Sequence, residues 1–86
     1  AQAYGQSLFA PLRDLPRADR GILVATLREM MSSAFSVSVV ARSMGVHRHT
    51  VENRMRRLEN LLGVDFSQES SRFRVWIALS LVRDLV

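Results

Sequence analysis

The stretch Ser36-Val37-Ser38-Val39-Val40-Ala41-Arg42-Ser43-Met44-Gly45-Val46-His47-Arg48-His49-Thr50-Val51 decides the fold. Val37, Val40, Ala41 and Met44 recur at three and four, the spacing of one helix face, and Ser36 or Ser38 can cap the start. Gly45 follows the last periodic residue, where a left-handed C-terminal cap favours glycine, and Val46 can pack back on the helix it leaves. Three residues later the period restarts: Val51, Met55, Leu58 and Leu62 form one stripe, closed by Gly63 with Val64 behind it. That predicts a helix from about His47 to Leu62. Ala41, four residues before Gly45, is small enough for the two helices to approach, and Val46 and Val51 fill the angle between them. Two helices joined by a tight glycine turn over 36–62 describe a helix-turn-helix.

Working outward, Leu8, Phe9, Leu12 and Leu15 suit a short first helix, which Pro16 ends. A second helix is expected to begin near Ala18 or Asp19, with Leu23, Leu27, Met30 and Met31 on its apolar side and Asp19 at the positive end of the dipole. The segment 67–86 fits two readings. Phe73, Val75, Ile77, Leu79 and Leu81 alternate as in a strand; Phe73, Trp76, Ile77, Ser80 and Leu81 fit a helix. The run from Arg72 to Val86 is long for a strand, has no turn residue and has no partner strand, so a helix is expected, apolar on most sides and therefore buried or at an interface. The fold class is all-α: a small bundle of about five helices containing a Fis-like helix-turn-helix, in a single domain spanning 1–86.

Size and charge narrow the function. A chain of 86 residues, 48% of them apolar, has room for one core only. Cysteine is absent, so disulfides and thiolate metal sites are excluded, which fits a reducing compartment. All twelve basic residues are arginine, and the net charge is +4. Residues 42–57 hold Arg42, Arg48, Arg54, Arg56 and Arg57 against Glu52 alone, while the other residues balance. One segment thus owns the whole excess, as in a surface that meets a polyanion. The longest uncharged stretches, Ala1–Leu12 and Met30–Ala41, are twelve residues each, short of the ~18–20 that span a bilayer. No secretion signal is visible, so no membrane association and a cytoplasmic location are the expectation. Ala1 in place of an initiator Met, with the apolar end Leu85-Val86, suggests Met removal or a domain cut from a longer protein.

On the 47–62 helix, the side opposite the apolar stripe carries His49, Asn53, Arg56 and Asn60, flanked by Thr50 and Arg57. A polar face that begins at the helix N-terminus suits the reading of base edges in duplex DNA. Arg48 can give a bidentate pair to guanine, Asn53 to adenine, and His47, His49 and Thr50 can bond base edges. Arg54, Arg56 and Arg57 are expected on phosphates, with the Ser36 and Ser38 hydroxyls as further anchors. Arg56 has a plainer alternative, since Glu52 and Glu59 lie within reach as surface ion-pair partners, and Arg42 reads as solvated. Trp76, Val82 and Leu85 are assigned to a dimer or interdomain surface. No metal or cofactor is expected: His47 and His49, two apart, point roughly 200° from each other on a helix and have no further ligand nearby. A catalytic role lacks a clustered acid pair, a phosphate loop or a nucleophile with its base. The alternative is a helical interaction or dimerisation module whose arginine face meets an acidic partner or RNA.

Gly45-Val46-His47-Arg48-His49-Thr50-Val51, then Arg54-Met55-Arg56-Arg57-Leu58-Glu59 and Gly63-Val64-Asp65-Phe66, resemble the C-terminal helix-turn-helix of PucR-type bacterial regulators, which include purine-catabolism and sugar-diacid regulators. Arg72-Phe73-Arg74-Val75 and Ala78-Leu79 fall in the same register. The resemblance implies a DNA-binding transcription-regulation domain, C-terminal in a longer chain, with an upstream sensor domain and a homodimeric full-length protein. His47, Arg48, Thr50, Arg54, Arg56 and Arg57 match the motif. His49 stands where asparagine is usual, Asn53 where an aromatic is usual, and Trp76 where a polar residue is more common.

Overall fold

The computed structural model describes residues 2–82, with side chains from residue 7 onward. Five helices follow one another: α1 (Gln2–Arg13), α2 (Arg17–Ser32), α3 (Val37–Met44), α4 (Arg48–Leu62) and α5 (Glu69–Leu81), with no strand among the described residues. The all-α architecture agrees with the periodicity.

Local chemistry sets the boundaries. Pro16 occupies the N-cap of α2 at φ −53°, so the helix starts at Arg17, slightly before the expected position. The Arg20 guanidinium donates to the Arg13 carbonyl at 3.3 Å, closing the end of α1 against the start of α2. Ser36 caps α3, its hydroxyl accepting from the Val39 N–H at 3.4 Å. Gly45 turns left-handed at φ 67°, and the Val46 N–H donates to the Ala41 carbonyl at 3.0 Å, the six-to-one bond of a glycine C-cap. His47 caps α4 through Nδ1, which accepts from the His49 N–H at 3.3 Å. Gly63 closes α4 in the same left-handed way, at φ 66°.

One stripe from each helix fills the centre. Phe9 and Leu12 of α1, Leu23, Val24, Leu27 and Met30 of α2, Val40 and Ala41 of α3, Val51, Met55, Leu58 and Leu62 of α4, and Val75, Ala78 and Leu79 of α5 are all buried. Val37, Met44 and Val46, expected in the local core of the turn, are half-buried and packed against this cluster. Helix α5 is shorter than the expected run to Val86. It stops at Leu81, and Val82 leaves the helix in an extended conformation at φ −103°. That change of direction corrects one expectation: Val82, assigned to an outer surface, is 4% exposed and joins the core. Leu85 lies outside the described residues.

Between α2 and α3, Ala34 and Phe35 both take positive φ, 55° and 63°. Neither is glycine, so the turn stores strain. Phe35 is held there from two sides, by the Phe66 ring at 5.4 Å and by the Arg72 guanidinium 4.4 Å from its ring centre. Ala34 is exposed and lacks such a restraint. Ala34→Gly is expected to raise stability by about 0.5–1 kcal/mol, because glycine adopts this φ without the Cβ penalty. A higher urea midpoint with unchanged slope checks it; an unchanged or lower midpoint counts against strain at this position.

Candidate nucleic-acid interface

The stripe Val51, Met55, Leu58 and Leu62 fastens α4 to the core, and the opposite side faces outward as the wheel predicts. His49, Asn53, Arg56 and Asn60 are exposed, as are His47, Arg48 and Arg57, while Thr50 is half-buried. At the start of α3, the Ser36 and Ser38 hydroxyls lie 3.4 Å apart; Ser38 is exposed and Ser36 half-buried.

The contacts among these side chains differ from the expected pattern. Glu52 pairs with the first turn of its own helix: Arg48 Nε lies 3.7 Å from its carboxylate and His49 Nδ1 3.4 Å, the latter an ion pair only when the imidazole is protonated. Glu59 accepts the Phe66 N–H at 2.8 Å. Both acids proposed for Arg56 are therefore engaged elsewhere, and its guanidinium donates instead to Asn53 Oδ1. Arg54 is half-buried and donates to Thr26 Oγ1 at 3.3 Å, across to α2. Thr26 is fully buried and donates in turn to the Ile22 carbonyl at 2.8 Å. Arg57 makes no ion pair among the described residues.

The turn after α4 is pinned at several points. Besides the Glu59 bond, Asp65 accepts from the Ser67 N–H at 2.9 Å and from its hydroxyl at 2.7 Å. These two bonds favour the ionised carboxylate and hold Asp65 below the usual carboxylate range. Arg72 Nε donates to the Phe66 carbonyl at 2.6 Å. Thr26 and Arg72 were given no such role from the sequence, and Glu59 was read only as a surface ion-pair partner of Arg56. The only trace Thr26 leaves there is a polar residue beside the apolar stripe of α2, and no spacing rule points to the bonds that Glu59 and Arg72 make to Phe66.

No group of three or more His, Asp or Glu among the described residues could hold a metal, and no helix there is long and apolar enough to cross a membrane. The model of the PucR C-terminal helix-turn-helix domain matches residues 23–81, from α2 to the end of α5. The chain belongs to this family. Membership points to a DNA-binding regulatory domain, and the family is in general non-enzymatic. A Thermomonospora curvata protein described as the uncharacterized protein in the pkwA 5′ region is 36% identical over 84 residues, covering 98% of this chain. The chain spans 46% of that relative's length. No solved structure matches.

Proposed function

We propose that this PucR-type domain regulates transcription by binding duplex DNA, with α4 lying in the major groove. The observation that carries the reading is the outward face of α4, where His47, Arg48, His49, Asn53, Arg56 and Arg57 stand exposed on a helix whose other side is sealed in the core. His47, Arg48, His49 and Thr50, at the N-terminal turn, meet base edges together with Asn53. Arg48, itself exposed, exchanges its half-buried carboxylate partner, Glu52, for a guanine edge. The Arg56–Asn53 bond orients the amide that pairs with adenine, and Asn53 Oδ1 keeps a second lone pair for the base. Arg56, Arg57 and the hydroxyls of Ser36 and Ser38 take phosphates. Arg54, braced on Thr26, contributes donors not used in that bond. In the full-length protein, two such domains would read paired half-sites as a homodimer, under an upstream sensor domain.

Selection of bound duplexes from a random pool, followed by salt titration of the winner, tests the reading. Arg57→Ala is expected to weaken every duplex alike and to reduce the slope of log affinity against log salt by about one unit, as the loss of a single phosphate contact requires. A domain with no duplex affinity at moderate salt, retaining affinity for RNA or an acidic protein, would overturn the proposal.

A further inference from the structure

Among the described residues, Thr26 is the only polar side chain buried in α2; Leu23, Val24, Leu27 and Met30 are the others inside. A valine would fill the same space without taking a hydroxyl out of water. The hydroxyl is satisfied in two directions. It donates to the Ile22 carbonyl at 2.8 Å, one turn back along α2, a bond that fixes the side-chain rotamer. Its oxygen accepts from Arg54 Nη1 at 3.3 Å, across to α4. Only the second bond joins two helices, and it ends on an arginine that is still half-exposed.

The partner leaves the charge of that arginine untouched. Arg48 lies 3.7 Å from the Glu52 carboxylate, which offsets its charge, whereas Arg54 is held by a neutral oxygen. A guanidinium has five N–H donors in one plane; the Thr26 bond uses one and restrains the direction of the rest. Arg54 stands between two hollows on the α2 side of α4, the first bordered by Arg17, Ile22 and Val46, the second by Asp19, Ile22 and Arg57. Three arginines thus stand against Asp19, which forms no ion pair among the described residues, so the groove keeps a positive excess.

We infer that Thr26 is the positioning residue for Arg54: its buried hydroxyl aims the guanidinium at a backbone phosphate before DNA arrives, and Thr26 itself never touches the duplex. This role rests on the duplex-binding reading given above. An arginine free in water loses its rotamer freedom when a phosphate catches it, which weakens binding by about two- to tenfold per side chain. With Thr26 in place that freedom is already lost on folding, and the contact forms without it.

Two measurements test the role, one of them without DNA. In the free domain, NMR relaxation of the Arg54 Nε–H should report a side chain more restrained than exposed Arg57. Thr26→Val, which removes the hydroxyl, should bring Arg54 to the mobility of Arg57, and Thr26→Ser, which keeps it, should preserve the restraint. On the selected duplex, Thr26→Val is expected to weaken binding about two- to tenfold for every base variant alike. The salt slope should stay unchanged, because the phosphate contact still forms. Thr26→Ser should bind close to the wild type. Arg54→Ala should lower the slope by about one unit, and adding Thr26→Val to it should weaken binding no further. Urea unfolding gives the folded fraction of each variant, so lost stability is not read as a lost contact. Equal losses from Thr26→Val with and without Arg54 make Thr26 merely structural and overturn the inference. A serine variant that binds like the valine variant overturns it too, as does an intact duplex affinity with Arg54 no more ordered than Arg57; neither result touches the DNA-binding reading. A wild-type domain without duplex affinity overturns that reading, and this role with it, even if Arg54 is ordered.

Discussion

Leu58→Ala is expected to remove about 2–5 kcal/mol of folding stability, the range for deleting a buried leucine side chain. Leu58 is fully buried at the centre of the α4 stripe, with Val51, Met55 and Leu62 on the same side. A domain of 86 residues has only ~4–13 kcal/mol in total, so the variant approaches the unfolding threshold at moderate temperature. The loss should be visible as a lower urea midpoint and as weakened binding to all ligands in proportion to the unfolded fraction. Leu58→Met, close in volume, should cost less than about 1.5 kcal/mol. If alanine cost no more than methionine, the stripe would not be what holds α4 in place.

Arg48→Ala is expected to leave folding nearly untouched and to erase discrimination at one base pair. The side chain is 65% exposed and its link to Glu52 is a 3.7 Å surface pair, of a kind that contributes about 0–1 kcal/mol. On DNA the same guanidinium would make two bonds to one guanine, so its loss should cut discrimination at that position by ~1–3 kcal/mol. Affinities for the selected duplex and its single-base variants, measured at one salt concentration, provide the check. The penalty should collapse at a single position and persist at the others. Discrimination retained everywhere would assign base reading to other residues of the turn.

What the sequence disclosed and what it concealed divide along one physical line. Features set by neighbours in the chain were legible. Gly45 and Gly63 fall at left-handed caps, Ser36 caps α3, and Val51 to Leu62 buries as one face, since each depends on residues no more than a few positions apart. Helix α5 was harder, because two-sided apolarity satisfies a strand pattern and a helix pattern together; only the bundle shows which side meets the core and which carries Phe73 and Trp76. Its end escaped periodicity too: Val82 fits the helical stripe, yet the chain turns extended there and tucks it inward. The arginines were legible as a charge and not as individuals. Arg54 finds Thr26 28 positions away, and Glu59 is drawn from Arg56 to the Phe66 amide; both choices follow from packing between elements. The strain at Phe35 left no mark, since an aromatic is the last residue that spacing rules would place at positive φ.

The pinned turn between α4 and α5 has a consequence for what the domain can measure. With Glu59 holding the Phe66 amide and Arg72 holding the Phe66 carbonyl, α4 and α5 are both tied to one residue of the turn between them. With α4 on DNA as proposed, α5 would be held at one set orientation to the duplex, in the manner of calipers set by the chain itself. Whatever the outer side of α5 carries would then be aimed relative to the bases by residues that never approach the DNA.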